Sequence, residues 1–209
     1  MTTLIIATLP ILMAITLHEA AHAYAALKLG DPTAAMAGRV TLNPLSHIDP
    51  IGTVLIPGFM LWASGGAFAF GYARPVPVNF SRLKNPKRDM RWVAAAGPFA
   101  NLVMAIGWLF LFNQITNPPE SLSSDALLSM CRYGFTVNLV LMLLNLLPVP
   151  PLDGGRIMVS LLPMRLAIPY AKIEPYGILI LLLLLFSGAL DAILQPLLTV
   201  TISLLQTLF

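Results

Sequence analysis

Apolar runs separated by polar segments organise the chain. The first run covers Thr3 to Leu27 and carries no charge before Glu19. The second, Ile51 to Phe70, is interrupted by Pro57-Gly58 and Gly65-Gly66. The third is Trp92 to Phe112 and the fourth Ala126 to Leu147. A last pair, Tyr176 to Phe186 and Ala192 to Leu208, is hinged at Ser187-Gly188. At ~1.5 Å rise per residue, about 20 apolar residues cross the hydrocarbon layer. The Tyr176 run is short for this, so its span has to draw on flanking residues. The pattern predicts an all-α polytopic membrane protein with about five transmembrane helices and a re-entrant or hairpin segment, with room for a small membrane-associated β-sheet.

Composition supports that class. Of 209 residues, 57% are hydrophobic and 10% charged, against about 25% charged in ordinary soluble domains. Mean hydropathy is +0.82. These values exclude a water-exposed monomer and a disordered chain. The single cysteine, Cys131, excludes an internal disulfide framework and a thiolate zinc cluster. The net charge of +3, from 12 basic and 9 acidic residues, is too small to argue for a nucleic-acid partner.

The placement of charge says more than its sum. Asn113 to Asp125 contains Glu120 and Asp125 but neither Lys nor Arg. Arg74, Arg82, Lys84, Lys87, Arg88 and Arg91 crowd one segment, and Arg156, Arg165 and Lys172 follow Leu147. The positive-inside rule puts both basic segments in the cytoplasm. No basic residue precedes the first run and no small-residue cleavage site follows it, so a signal peptide is not expected. With no repeat and no separate soluble domain, residues 1–209 read as one membrane domain. Its core covers about 3–162 and a C-terminal helical hairpin about 173–209.

The first run contains His18-Glu19-Ala20-Ala21-His22, the HExxH pattern. Positions i and i+4 share a helix face about 6 Å apart along the axis. Two imidazoles can there meet one Zn²⁺, with Glu19 placed to hold the attacking water. Fe²⁺ or Co²⁺ suits the same ligands in principle. Such a motif also arises by chance in helices, but each ionisable group in a spanning helix costs roughly 2.5–3.5 kcal/mol on insertion scales and usually marks function. A third protein ligand is expected. His47 is the one other histidine, and the carboxylates are Asp31, Asp49, Asp89, Glu120, Asp125, Asp153, Glu174 and Asp191. Asp153 stands out because it follows a deeply apolar run through Pro148, Pro150 and Pro151 and precedes Gly154-Gly155. Irregular backbone at membrane depth is tolerated only beside protein or a water-filled cavity. The plainer alternative makes Asp153 the N-cap of a helix starting at Gly154.

The HExxH helix, Gly97-Pro98-Phe99-Ala100-Asn101 and the Asn-x-x-Pro-x-Pro-x-Leu-Asp-Gly pattern from Asn145 to Gly154 together resemble the site-2 protease family of intramembrane zinc metalloproteases. The segments Gly38 to Gly52 and Gly71 to Asn79 are similar to its compact subgroup, which lacks PDZ-like and CBS-like domains. The likeness runs from about Leu12 to Gly155. It implies one zinc per chain on His18, His22 and Asp153, with Glu19 as catalytic base, Asn145 beside the metal and Asn101 shaping the substrate site. The implied substrate is a transmembrane protein, in a lipid bilayer.

Shared ligation constrains topology. His18 and His22 lie toward the C-terminal end of the first run and Asp153 just past that of the fourth, so these two runs should point the same way, antiparallel to the third. Ile51 to Phe70 then crosses zero or two times. With basic loops inside, the N-terminus is outside, the C-terminus is cytoplasmic and eleven of the twelve basic residues face inward, Arg132 being the exception. A prokaryotic cell membrane fits a compact chain of this kind.

In that reading, Glu19 transfers the water's proton and Asn145 helps stabilise the oxyanion, an effect on the order of 3–4 kcal/mol where such donors have been removed. A helix-to-helix hydrogen bond is the alternative for Asn145. A substrate helix must unwind, and Arg74 to Asn79, through Val76 and Val78, is a candidate edge for strand addition, with Gly38 to Leu42 as a possible partner strand. Its alternative is a plain interfacial linker. The basic loop Arg82 to Arg91 reads as a topology signal meeting anionic lipid headgroups. The competing classes are an intramembrane metal transporter and a non-proteolytic zinc-binding scaffold. A transporter calls for further ligand clusters, and a scaffold has no use for Glu19. The last hairpin has the look of a lipid-facing packing element, with a dimer surface or substrate gate as alternatives.

Overall fold

The computed structural model describes residues 2–63, 74–116 and 125–208. Helix α1 (Thr2–Lys28) is followed by the single turn α2 (Thr33–Met36). A π-helical turn, Pro50–Leu55, leads into α3 (Ile56–Ala63). The long α4 (Pro86–Thr116) and α5 (Asp125–Leu146) come next. The short α6 (Asp153–Leu161) and α7 (Met164–Ala171) precede the hairpin α8 (Gly177–Phe186) and α9 (Ala189–Leu208).

Among the described residues five stretches are long and apolar enough to cross a membrane: Ile6–Lys28, Pro86–Ile115, Asp125–Leu146, Met164–Phe186 and Ala189–Thr207. The protein is an all-α integral membrane protein. The fourth stretch draws on flanking residues as its short apolar run requires, reaching back through α7. Gly188, at φ 74°, makes the turn between α8 and α9, a conformation that L side chains rarely adopt.

Helix directions follow from paired contacts. Along α1, Ala14 and His18 meet Asn101 of α4, whereas His22 meets Val93, so the two helices are antiparallel. Asn101 meets Asn138 of α5, and Trp108 lies against Gly134, so α4 and α5 are also antiparallel. Helices α1 and α5 therefore run the same way, as shared ligation demands. The central packing is apolar: Ala105 and Leu109 of α4, Leu139, Met142 and Leu143 of α5, and Leu194 and Leu205 of α9 form one buried cluster. Helix α8 lies outside it, with Ile178, Leu179, Leu183 and Phe186 exposed.

The excursion beyond α2 returns to its starting point, since Arg74 N donates to His47 O at 3.0 Å. Asp49 caps its first turn by accepting from Ile51 N and Gly52 N. Lys84 N also donates to Leu29 O at 2.9 Å, tying the end of α1 to the start of α4. His47 and Arg74 thus lie side by side, while the expectation that Ile51 to Phe70 crosses zero or two times falls partly outside the described residues, at 64–70. No strand forms among the described residues. Arg74 to Asn79 forms no regular secondary structure; Pro75 and Pro77 bias Arg74 and Val76 toward extended backbone but have no N–H to give a ladder, and side chains hold the segment instead.

Candidate active site

His18 and His22 project from one face of α1, where their i, i+4 spacing sets the rings edge to face with centroids 4.6 Å apart. Asp153 begins α6. Its Oδ2 lies 3.2 Å from each imidazole Nε2. Leu152, not Asp153, occupies the N-cap position, and no side-chain cap bond forms. The plainer alternative for Asp153 therefore fails. Gly154 permits the approach, because a Cβ there would lie 2.3 Å from the carbonyl oxygens of Leu146 and Leu147.

The other ring nitrogens fix the tautomers. His18 Nδ1 is 2.6 Å from Asn101 Oδ1, and His22 Nδ1 is 2.7 Å from the Val93 carbonyl oxygen. Asn101 Nδ2 donates to Asn138 Oδ1 at 2.9 Å and to Ala14 O at 3.3 Å, which leaves its Oδ1 to accept. Both Nδ1 atoms are then donors, and both Nε2 atoms present bare lone pairs 3.0 Å apart. Two neutral imidazoles have no proton to share across that gap, so it is not a hydrogen bond. Asp153 Oδ2 is buried there with no hydrogen-bond partner. Three converging lone-pair donors need a cation among them.

The dimensions suit zinc. Tetrahedral ligands at ~2.0–2.1 Å from the ion stand about 3.3–3.4 Å apart, and these three donor atoms are 3.0, 3.2 and 3.2 Å apart. Among the described residues this is the one group of three or more His, Cys, Asp or Glu side chains able to hold a metal. Gly97 of α4 backs it: a Cβ there would fall 2.4 Å from His22 Nε2 and 2.6 Å from His18 Nε2.

Glu19 points to a different neighbour. Its Oε2 accepts the backbone N–H of Val76 at 2.8 Å. The extended segment around Val76 is anchored at both ends. Arg39 Nη2 donates to Arg74 O at 2.7 Å, and Asn79 N donates to Asp31 Oδ2 at 2.6 Å. Arg39 is itself buried. Burial first, then the positive charge of Arg74, lowers its pKa, while Glu19 favours its charge. Val76 is buried against Ala23 and Ala34, with Val78 half-buried alongside.

The remaining sequence candidates are each engaged by a partner of their own. His47 is buried with Nε2 on Thr41 O at 3.0 Å, holding its own loop. Asn145 Nδ2 donates to Leu141 O at 2.9 Å within α5, which is not the helix-to-helix bond weighed above. Asn101 is fully buried behind His18, leaving no surface for a substrate. Asn138, also fully buried, is the residue that sequence reasoning missed. Its signal was available, an amide in an otherwise apolar span. An apolar cavity of about 240 Å³ adjoins the motif helix, lined by Leu12, Met13, Leu17, Leu42 and Pro44 among others.

A helical membrane bundle in which two histidines and an aspartate turn their lone pairs on one point, with a glutamate between the histidines, defines the class of intramembrane metallohydrolases. Comparison with known proteins gives the family. The chain is 40% identical over 191 residues to YwhC of Bacillus subtilis, described by name as a zinc metalloprotease, covering 90% of this chain and 83% of that protein. It is 31% identical over 180 residues to Rip2 of Mycolicibacterium smegmatis, of the same description, covering 86% of this chain and 66% of Rip2. Rip3 of Mycobacterium tuberculosis is 29% identical over 148 residues, which are 70% of this chain and 28% of Rip3. The model of peptidase family M50 matches residues 113–188, which include Asp153 but not the HExxH motif. No solved structure matches the chain significantly. The chain belongs to peptidase family M50, the site-2 protease family, and is a zinc metalloendopeptidase.

Proposed function

We propose that this protein hydrolyses peptide bonds within or near the transmembrane segments of other membrane proteins, using one zinc ion held by His18, His22 and Asp153. The observation that carries this reading is the depth of the donor set. His18 and His22 lie inside the span Ile6–Lys28, ten and six residues before its end, or ~9–15 Å at the α-helical rise.

Zinc bound there would supply Lewis acidity, lowering the pKa of water toward ~7 and polarising the scissile carbonyl. Glu19 takes the proton from the attacking water and passes it to the leaving amine. Asn101, steadied by Asn138, holds the His18 ring with its Nε2 lone pair forward. Asn145 turns from Leu141 O toward the developing oxyanion. A substrate unwinds to lie along the backbone of Val76 and Val78, whose side chains pack inward, while the apolar cavity beside Leu17 takes a hydrophobic side chain. The orientation is N-terminus outside and C-terminus cytoplasmic, in a prokaryotic cell membrane.

The test is cleavage in cells of a tagged panel of single-span membrane proteins, comparing the intact enzyme with Glu19→Gln. A product cut inside the span and present only with intact Glu19 is expected. A panel left uncut, together with zinc uptake into vesicles carrying the protein, would replace this reading with the transporter.

A further inference from the structure

We propose that the Val76 amide is a shared donor: it holds the Glu19 carboxylate while no substrate is present, and passes to a substrate carbonyl when an extended chain is laid against it. This rests on the proteolytic reading above and adds the means by which a substrate readies the base.

The geometry of the segment Arg74–Asn79 leads there. In an extended chain the N–H and C=O of one residue point to the same side, and those of the next residue to the other. The prolines bias Arg74 and Val76 toward extended backbone, which puts Arg74, Val76 and Val78 on one edge, and the Val76 N–H directs that edge to Glu19. The opposite edge carries Pro75 and Pro77, which have no N–H to donate. A partner strand can therefore pair through donors only on the side of the catalytic glutamate.

That side is already engaged. Arg74 N is bonded to His47 O at 3.0 Å, and the Arg74 carbonyl accepts from Arg39 at 2.7 Å. On the proline-bearing edge the Asn79 N–H is bonded to Asp31 at 2.6 Å, so that edge has no donor to offer a partner strand. These contacts fix both ends, and the buried Val76 side chain pins the middle against α1. The segment is a rigid template whose central donor already has an acceptor. A substrate that pairs with the template must take the Val76 N–H from Glu19. The hydrogen-bond count is conserved in this exchange, because the amide donor loses one acceptor and gains another. Its consequence is a base released to the attacking water only when an extended chain is in place.

The experiment compares two probes on purified enzyme. One is a synthetic transmembrane peptide long enough to lie along the template; the other is a blocked fluorogenic dipeptide too short to reach it. Val76→Pro removes the amide donor. We expect kcat/KM for the long peptide to fall about tenfold, mostly through KM, as for loss of one productive hydrogen bond. Turnover of the dipeptide should rise severalfold, because Glu19 is no longer held. If Val76→Pro does not fold, an amide-to-ester replacement at position 76 removes the same donor and keeps the valine side chain. Equal losses on both probes would assign Val76 a structural role and overturn the exchange, as would no change on either. A wild-type enzyme that cleaves neither probe would overturn the proteolytic reading itself, and the exchange with it.

Discussion

At the scale of single residues, the site is a problem of lone pairs brought together at short range. Two imidazoles and a carboxylate converge within 3.0–3.2 Å of one another, at a cost that only a cation offsets. Each histidine is held from behind, His22 by the Val93 carbonyl and His18 by Asn101. Hydrogen bonds between spanning helices, such as Asn101 to Asn138, contribute ~0.6 kcal/mol on average and up to ~1.7. Their value here is orientation more than stability. Gly97 sets the clearance between α4 and the imidazoles. Gly97→Ala should weaken zinc binding by roughly 10–100-fold, the range seen when supporting groups around a metal are altered. Competition with a chelating dye measures it, and an unchanged affinity would show that α4 can retreat.

At the scale of elements, much was legible because the signals are local. The histidine pair follows from helical periodicity, the apolar runs give the spans, and Ser187-Gly188 marks a turn that Gly188 makes. Asp153 was legible from the prolines and glycines around it. Asn138 was missed, although an amide in an apolar run marks it. The bonds around Arg74–Asn79 were not, since Glu19 and Val76 lie 57 residues apart and one side chain meeting one amide leaves no periodic trace. For the same reason His47 offered itself as a ligand, when in the fold it closes its own loop.

Asp31 is the anchor of that segment, accepting from Thr33 N, Thr33 Oγ1 and Asn79 N. Burial raises its pKa, but the hydrogen bonds from Thr33 and Asn79, with the nearby Arg82 charge, bring it below the usual carboxylate range. Its folded pKa is thus depressed, so its contribution to stability is present above the unfolded value of ~3.9 and is lost as pH falls through the folded one. Thermal unfolding in detergent should show Asp31→Asn less stable than wild type at pH 6, with the gap closing below about pH 4. A gap that holds at low pH would contradict this assignment.

At the scale of the whole molecule, metal and charge arguments meet on one topology. The backbone bonds Lys84 to Leu29 and Arg74 to His47 bring the ends of α1, of the excursion and of α4 to one side. In the proposed orientation the basic residues between Arg74 and Arg91 lie on the cytoplasmic side. Single cysteines at Thr33 and Asn85 should therefore be labelled from the same, cytoplasmic face of the membrane. Labelling from opposite faces would break the arrangement of α1 and α4 on which the site depends.

In the proposed function, His18, His22 and Asp153 hold one zinc ion while Glu19 serves the chemistry without holding it. Metal analysis of the purified protein tests this most directly. One zinc per chain is expected in the wild type and in Glu19→Gln, and its loss in His18→Ala, His22→Ala and Asp153→Ala. Full zinc in any of those three, or its loss in Glu19→Gln, would contradict it.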